Sequence, residues 1–316
     1  NHVRDPKILK HDGKYYMVLG ARDKKSVGMI LLYQSEDLRH WKYFDRITTE
    51  EPFGYMWECP DVFEIDGQLI LTCCPQGIKP QGFDYHNPHQ TAAMKLSYDF
   101  DTKESRIEEI KLMDRGFDFY APQTFEDERG RRILIGWMGI PDAEYTNPTT
   151  EDGWQHALTI PRQISLRDGK FIQEPIEELR KLRCGGTKMA EFDGNEKKIC
   201  DDVVYEAVVE YNKCKNMKMT LREGITLSYE DEVLTLDLGA YGSGRTTRKV
   251  RLESLEQLQI FADTSSLEIF VNHGEEVFTT RIYSLKGEIS IEGQCEGMLT
   301  IYPLKSFLIE GGCNEE

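Results

Sequence analysis

Four stretches in the first half of the chain share one pattern of apolar and polar positions. Each has a proline, an apolar run, a polar turn that usually contains Asp-Gly, and a second apolar run. The four prolines are Pro6, Pro60, Pro122 and Pro161. Two apolar runs joined by a short Asp-Gly turn predict a β-hairpin, and repeats of about 40–50 residues built from short strands are typical of β-propeller blades. The pattern therefore predicts a β-propeller with four copies of the repeat.

The residues immediately before the prolines occupy equivalent positions in this propeller. In the first three copies they are Arg4 and Asp5, Glu58 and Cys59, and Tyr120 and Ala121. Because the equivalent strand of each blade lies nearest the central axis, these residues are expected to converge at one end of the channel. Proline is tolerated at the start of a strand, where its nitrogen need not donate a hydrogen bond. The carboxylates of Asp5 and Glu58 are thus expected to lie close together, with the Pro/Gly-rich loop at 75–82 at the rim.

The second half of the chain has a different pattern. From Val203 onward, apolar and polar residues alternate in short runs without a proline until Pro303. Examples are positions 204–210, 233–238, 266–272 and 276–283. Short alternating strands at even spacing predict an antiparallel β-sandwich. With a helix-like connector at 174–183, we expect an all-β chain with a propeller domain at 1–183 and a sandwich domain at 184–316, ending in a frayed Glu-rich tail at 310–316.

Glu58 is the first candidate for acid/base chemistry. It follows Trp57, and an apolar neighbour raises the pKa of a carboxyl group, which keeps a proton available near neutral pH. An isolated glutamate at a strand end is more often half of a salt bridge, but equivalence with Asp5 across two repeats favours catalysis. Asp5 follows Arg4, whose guanidinium favours an ionised carboxylate suited to stabilising charge or binding hydroxyl groups. The alternative for Asp5 is a turn cap before proline.

Three further residues extend this candidate site. Asp118 and Tyr120 supply a carboxylate and a phenol just before Pro122, and Trp137 could form a stacking wall for a sugar ring. Each of the three, taken alone, is more often a core or turn residue. Together with Glu58 they describe a channel suited to a neutral polyol, and paired carboxylates that flank a glycosidic bond are the working parts of most glycosidases.

Charge and composition exclude several other classes of protein. The formal net charge is −16, and so acidic a surface repels phosphate backbones and anionic lipid heads, which argues against nucleic-acid or membrane-surface binding. No apolar run reaches the ~18 residues of a membrane span. The eight cysteines include no C-x-x-C pair, so we interpret them as buried thiols of a reducing compartment.

Neither a metal nor a cofactor is predicted. His86 and His89 are separated by Pro88, which breaks any helix that could align their rings as metal ligands. The glycine-rich segment at 242–245 follows a predicted strand but opens no helix, so it is a turn and not a nucleotide-binding loop.

Three motifs resemble those of a known family. Arg4-Asp5-Pro6, the Trp-Glu-Cys-Pro-Asp run at 57–61 and the Asp-Phe-Tyr-Ala-Pro-Gln run at 118–123 are similar, in this order, to motifs of glycoside hydrolase family 32. In the second half, positions 263–272, followed by Gly274-Glu275 and Thr280-Arg281, resemble the sandwich signature of the same family. The resemblance covers nearly the whole chain.

The resemblance implies a five-bladed propeller followed by a β-sandwich, and retaining hydrolysis of β-fructofuranosides. It implies that Glu58 is the acid/base and that Asp5, with Arg4 beside it, holds fructosyl hydroxyls and stabilises the transition state. The remaining substrate-binding residues that it implies are Cys59, Asp118, Tyr120 and Trp137.

The chain departs from the family pattern in one large respect. The family's nucleophile is an aspartate in an N-terminal Asn-Asp-Pro-Asn-like motif, and no such motif occurs in residues 1–316. Asn87-Pro88 and Asn147-Pro148 lack the aspartate. We therefore expect a fragment from which the first blade is largely missing, inactive by itself because double displacement needs a nucleophile. A milder departure is Val3, where the family often has an aromatic residue.

The expected substrate is a small sugar, most simply sucrose or sucrose 6-phosphate, hydrolysed in the bacterial cytoplasm, with a homodimer left open. Two alternatives remain. One is a related propeller glycosidase that acts on arabinan or xylan, against which Cys59 and the sandwich signature argue. The other is a carbohydrate-binding protein that has lost its nucleophile.

Overall fold

The structure is a computed structural model that describes residues 2–195, 197–284 and 286–307. Its first twelve strands form three four-stranded antiparallel sheets. The first sheet contains β1 (His2–His11), β2 (Lys14–Arg22), β3 (Gly28–Ser35) and β4 (Lys42–Ile47). The second contains β5 (Met56–Ile65), β6 (Gln68–Gln76), β7 (Ala92–Tyr98) and β8 (Ser105–Leu112). The third contains β9 (Tyr120–Glu126), β10 (Arg132–Trp137), β11 (Arg162–Arg167) and β12 (Lys170–Pro175). Each sheet is one blade of the propeller.

Asp-Gly turns connect the two strands of the first hairpin in each of the first two sheets, β1–β2 and β5–β6. Asp12 and Gly13 have φ angles of 45° and 74°, and Asp66 and Gly67 have 50° and 79°. Two successive positive φ angles define the type I′ turn, whose twist matches that of the flanking strands. Glycine takes this conformation without cost and aspartate tolerates it, which is why the pattern could be recognised in the sequence.

The fourth copy of the repeat is not a fourth blade, so the prediction of four copies is wrong. The hairpin that follows Pro161 is β11 and β12, and β11 pairs with β10 through Ile133↔Gln163 and Leu134↔Arg162. It therefore completes the third sheet. A hairpin pattern in the sequence indicates only that two consecutive strands pair with each other. The inner and the outer hairpin of one blade have the same pattern, so the pattern cannot tell a new blade from the second half of one.

The inner strands β1, β5 and β9 are joined by a buried polar cluster. Lys7 on β1 donates to the carbonyl oxygen of Thr124 on β9 at 2.6 Å and lies 3.3 Å from the Asp61 carboxylate on β5. Asp61, which is buried, also accepts from the Thr124 hydroxyl at 2.7 Å. These contacts hold the equivalent strands of the three sheets side by side.

The remaining twelve strands form a sandwich of two six-stranded sheets, in the orders β13-β24-β15-β20-β21-β22 and β14-β23-β16-β17-β18-β19. The strands of the first sheet are β13 (Lys188–Phe192), β15 (Tyr205–Cys214), β20 (Gln257–Asp263), β21 (Ser266–Val271), β22 (Glu276–Arg281) and β24 (Cys295–Pro303). Those of the second are β14 (Lys197–Cys200), β16 (Met217–Arg222), β17 (Ile225–Glu230), β18 (Val233–Asp237), β19 (Thr247–Arg251) and β23 (Ile289–Glu292). Alternating buried positions from both sheets form the largest apolar core. The predicted all-β fold, a propeller followed by a sandwich, is confirmed.

A 3-10 helix, Glu177–Leu182, stands where the helix-like connector was expected, and the boundary predicted near position 183 falls between it and β13. Two other 3-10 helices span Pro148–Asp152 and Gly239–Gly242. None of the helices in the described part of the chain has the length and apolar character needed to cross a membrane. The predicted tail at 310–316 lies outside the described residues.

The domains meet at a buried charged cluster. Arg162 on β11 has no exposed side-chain surface, and it contacts Asp114 at 3.2 Å and Glu268 of the sandwich at 2.7 Å. Thr279 of β22 adds a hydroxyl that accepts from Arg162 at 2.6 Å. Gly116 passes so close to β22 that a Cβ there would lie 1.9 Å from the Thr279 carbonyl oxygen. The sandwich is therefore packed directly against the last two blades.

Candidate active site

The three inner strands carry the same irregularity at the same place. Asp5, Cys59 and Ala121, each directly before a proline, have φ angles of 58°, 48° and 47°. The ladders shift register beside them, between Arg4 and Lys7 on β1 and between Glu58 and Asp61 on β5. A left-handed conformation is strained for residues other than glycine, and a bulge changes the direction of nearby side chains. The same strained backbone conformation therefore occurs in all three inner strands, at the point where their side chains point towards the end of the channel.

Arg4, Glu58 and Tyr120 meet at this end, as the repeat predicted. The Glu58 carboxylate accepts a hydrogen bond from Arg4 Nη1 at 2.7 Å and from the Tyr120 hydroxyl at 2.8 Å. Gln76, at the end of β6, donates its side-chain amide to the same carboxylate at 2.9 Å. The Glu58 side chain is 13% exposed and that of Arg4 41%. Three donors surround the carboxylate, which nevertheless remains within reach of solvent.

Asp5 is held next to this group by the backbone of the neighbouring blade. Its Oδ2 atom accepts the N–H of Cys59 at 2.9 Å. Since Cys59 directly follows Glu58, the two carboxylates that were predicted to converge are brought to adjacent positions. Cys59 therefore contributes its backbone N–H here, and its half-buried side chain packs with Tyr120 and Trp137.

Tyr120 is buried, and its hydroxyl points at Glu58. Burial raises the pKa of Tyr120, and the nearby Cys74 and Glu58 raise it further. The phenol consequently keeps its proton and acts as a hydrogen-bond donor. The Trp137 ring lies edge-on to Tyr120, with 6.3 Å between ring centroids, and 4.9 Å from the ring of His156. These aromatic rings form one wall beside the carboxylate.

The apolar environment expected from Trp57 is not observed at Glu58. Successive side chains of a strand point to opposite faces, and the Trp57 indole is fully buried between the first two blades. A Cβ at Gly28 would lie 2.4 Å from this ring, and the indole nitrogen donates to the Phe53 carbonyl oxygen at 2.6 Å. Trp57 is a core residue, and polar donors surround Glu58 instead.

The structure does not bring Asp118, which was expected to line the sugar pocket, to this site. Its side chain has no exposed surface and faces the sandwich domain. It accepts the Arg281 N–H at 2.8 Å and forms an ion pair with Arg245, and the Tyr145 hydroxyl also donates to it. Although Asp118 lies only two positions before Tyr120, it precedes β9 and belongs to the domain junction.

Gln76 is a residue of this region that the sequence did not single out, and His89 was considered only as a metal ligand. Gln76 lies in the Pro/Gly-rich segment at 75–82 that was expected at the rim, so its position in that loop was the available signal. His89 is bridged to Gln76 through the backbone, and its ring lies 6.2 Å from that of Tyr120. The His89 Nε2 atom contacts Asp142 at 2.9 Å. No group of three or more potential metal ligands was found among the described residues.

The fold and the site together define a class. A propeller with an appended sandwich and two carboxylates at one channel end has the architecture of a propeller glycosidase. Models of the glycosyl hydrolases family 32 N-terminal domain and of the family 32 C-terminal domain match residues 1–175 and 206–297. The chain belongs to glycoside hydrolase family 32.

Relatives and solved structures agree with this assignment. The chain is 38% identical to a sucrose-6-phosphate hydrolase of Staphylococcus xylosus, over 98% of this chain and 66% of that protein. Its fold is similar to that of a sucrose-6-phosphate hydrolase from Lactobacillus gasseri, with a TM-score of 0.86 and 26% identity over 97% of this chain and 67% of that one. A Bombyx mori β-fructofuranosidase mutant in complex with sucrose gives a TM-score of 0.82 at 29% identity, over 96% and 66%. The chain spans slightly less than two thirds of the length of the Staphylococcus protein.

Proposed function

We propose that this chain supplies the acid/base and most of the sugar-binding groups of a retaining β-fructofuranosidase acting on sucrose or sucrose 6-phosphate. The observation that carries the proposal is the Glu58 carboxylate, held by donors from three inner or adjacent strands and still open to solvent. The relatives named as sucrose-6-phosphate hydrolase and β-fructofuranosidase favour β-fructofuranosides over the arabinan or xylan alternative.

Glu58 is the group that exchanges the proton. In the first step of a retaining reaction a carboxylic acid protonates the leaving oxygen, and in the second step the same group, now ionised, activates water. The hydrogen bonds from Arg4, Gln76 and Tyr120 fit the ionised form that the second step requires. Because Arg4 is half exposed, it can release the carboxylate when a substrate enters.

Asp5 and Trp137 position the sugar in this proposal. The Asp5 carboxylate has one oxygen bound to the Cys59 N–H, which leaves its other oxygen available for fructosyl hydroxyl groups. The Trp137 ring, packed against Tyr120, offers an apolar face beside Glu58. Both roles stay predictions, as does the role of Cys59.

No Asn-Asp-Pro-Asn-like motif that would supply a nucleophile occurs in residues 1–316, and this observation favours a second candidate for the chain by itself. A propeller that keeps Asp5, Arg4 and Trp137 but has no attacking carboxylate would bind sugar without cleaving it. Free thiols at the seven described cysteines support a reducing compartment, here the bacterial cytoplasm, although Cys184 is exposed and not buried as expected. A homodimer stays a prediction.

Fructose release from sucrose and from sucrose 6-phosphate tests both candidates. The 316-residue chain and the longest polypeptide that its gene encodes are assayed in parallel, each with its Glu58→Gln variant. We expect turnover only from a polypeptide that contains a nucleophile together with an intact Glu58, and none from the 316-residue chain by itself. Turnover by the 316-residue chain above its variant would contradict the fragment prediction, and no turnover by either would contradict the enzyme proposal.

A further inference from the structure

The turn between β2 and β3 is strongly basic in a chain whose net charge is −16. It reads Arg22-Asp23-Lys24-Lys25-Ser26. The Asp23 carboxylate is used within the turn, where it accepts the N–H groups of Lys25 at 2.8 Å and Val27 at 2.9 Å. The cationic side chains of Lys24 and Lys25 are exposed, and that of Arg22 is half-buried.

This turn lies at the same end of the blade as Glu58. Arg22 pairs with His2, and Gly20 pairs with Arg4, in the ladder between β1 and β2. Paired residues and residues two apart point to the same face of a sheet, so Arg22 shares a face with His2 and Arg4. The His2 ring contacts Arg4 at 3.0 Å, and Arg4 reaches Glu58. A row of polar side chains thus runs from Arg22 to the catalytic carboxylate.

A second route joins Arg22 to the same site. Its guanidinium lies over the ring of Tyr55, 4.8 Å from the centroid, three positions before Glu58. The Tyr55 N–H donates to the carbonyl oxygen of Gln76 at 2.9 Å, and the Gln76 side chain donates to Glu58. Arg22 is therefore linked to Glu58 through Tyr55 and Gln76, at the same end of the first two blades.

Most of the hydrogen-bond donors of Arg22 are unused. One Nη2 contact, to the Ser26 hydroxyl at 2.8 Å, is its side-chain hydrogen bond, and no carboxylate lies within ion-pair distance in the described part of the chain. Stacking on Tyr55 holds the guanidinium plane, which lowers the entropy lost when it binds a ligand. A guanidinium can donate to the hydroxyl groups of a neutral sugar, but it pairs more strongly with a phosphate dianion, which accepts two parallel charge-assisted hydrogen bonds from it.

We propose that this turn binds the phosphate of sucrose 6-phosphate, with Arg22 as the residue that sets the preference for the phosphorylated disaccharide and with Lys24 and Lys25 adding positive charge. The inference rests on the proposed function. The phosphate is on the glucosyl part, which is the leaving group that Glu58 protonates, so its binding element belongs beside Glu58 and outside the fructosyl pocket.

The test compares substrates and variants in the longest polypeptide that the gene encodes. We expect Arg22→Gln to lower the ratio of kcat/KM for sucrose 6-phosphate to that for sucrose about 10- to 100-fold, because a charge-assisted contact is lost. Arg22→Lys, which keeps the charge but not the planar fork, should restore part of the ratio. Arg39→Gln is the matched control, since Arg39 is exposed in the turn at the other end of the same blade. A ratio unchanged in Arg22→Gln, with both sugars hydrolysed, overturns the inference and leaves the proposed function standing.

A binding experiment keeps the inference testable if neither sugar is hydrolysed. Calorimetry on the 316-residue chain with glucose 6-phosphate, glucose and inorganic phosphate separates the sources of affinity. We expect binding of glucose 6-phosphate that exceeds both others and is lost in Arg22→Gln. Equal binding of inorganic phosphate, or glucose 6-phosphate binding that survives Arg22→Gln, would overturn it.

Discussion

Two arginine–carboxylate clusters in this molecule contain the same chemical groups but differ in their surroundings. At the channel end, Arg4 contacts Glu58 at 2.7 Å, and both side chains keep some solvent exposure. At the domain junction, Arg162 contacts Glu268 at the same distance, 2.7 Å, but neither side chain is exposed by more than 2%. Contact distance therefore does not separate the pair proposed for catalysis from the structural one, whereas burial does.

Burial distinguishes the two arginine–carboxylate pairs because it decides whether the carboxylate can exchange its arginine for a substrate or a proton. A carboxylate open to water can give up a hydrogen bond to Arg4 and take a sugar oxygen or a proton in its place. A buried charge that loses its partner suffers an uncompensated desolvation cost. Asp118 illustrates the second case, because its four donors at the junction leave no position for a substrate.

The largest expected effect is the loss of activity in Glu58→Gln. General acid–base catalysis contributes about 10²–10⁴-fold, and the amide keeps the size of the side chain, so we expect kcat to fall by that factor with an unchanged melting temperature. Glu64→Gln, on the exposed side of the same strand, is the control and should retain full activity. Equal kcat values for the two variants would remove Glu58 from the catalytic role.

At the junction between the propeller and the sandwich, a substitution is expected to reduce stability. Arg162→Met leaves Asp114 and Glu268 buried without their cation, which should lower the free energy of unfolding by about 3–5 kcal/mol. Arg167→Met, on the same strand but in an exposed pair with Glu174, should cost less than about 1 kcal/mol. Urea denaturation measures both. The contrast between buried and exposed clusters is wrong if the two variants unfold at the same urea concentration.

Tyr120→Phe tests how much the hydrogen bond from the Tyr120 hydroxyl to Glu58 contributes to activity. Loss of a hydrogen bond to a charged group is worth about 1.5–3 kcal/mol, so kcat/KM should fall at least about tenfold. Tyr98→Phe removes a similar bond, from the Tyr98 hydroxyl to Asp45 at 2.9 Å, in an outer strand. Steady-state kinetics should show the loss in the first variant only, and a loss shared by both would indicate a general effect on the fold.

The smallest effect concerns the pH dependence of stability. Burial raises the pKa of Asp114 and that of Glu268, since one guanidinium balances only one of the two carboxylates. A carboxyl group whose pKa is raised by folding binds protons more tightly in the folded state, so its contribution to stability falls as pH rises from the unfolded pKa, about 4, towards the raised value. Relative to wild type, Asp114→Asn should therefore gain stability as pH rises through this range.

Glu178→Gln provides a control of opposite sign. The hydrogen bonds from Arg131 lower the pKa of Glu178, so its stabilising contribution is present above the unfolded pKa and is lost as pH falls. The cost of Glu178→Gln should accordingly disappear in acid. Melting temperatures of the two variants, measured from about pH 2 to pH 7 so that the range extends below the unfolded carboxyl pKa of about 4, test both signs. Parallel curves would contradict the assignment for Asp114.

Much of the site could be predicted from local patterns. The prolines marked the inner strands, and Asp-Gly marked the hairpins, because turn chemistry and proline act over a few residues. Arg4, Asp5, Glu58 and Tyr120 followed from their equivalent positions. The miscounted fourth repeat shows the limit of the same signal, since β11 and β12 have the pattern of an inner hairpin but pair with β10.

The errors have a common physical origin. Asp118 and Trp57 adjoin Tyr120 and Glu58 in the sequence, yet one faces the sandwich and the other the core between blades. Glu268 and Arg281 were recognised only as part of a sandwich signature, and they contact Arg162 and Asp118 across the junction. Which face a residue occupies depends on packing partners that are distant in the chain, on other strands for Trp57 and more than 100 positions away for Asp118.

The sequence by itself determined the strands, the hairpins, the family and the carboxylates that converge at the channel end, because each depends on periodicity, turns or short motifs. The tertiary structure alone decided which arginine–carboxylate pairs are buried and which remain open to solvent. It also linked Arg22 to Glu58 through contacts with Tyr55 and Gln76. Burial and cross-blade contact are properties of the packed chain, and no local pattern encodes them.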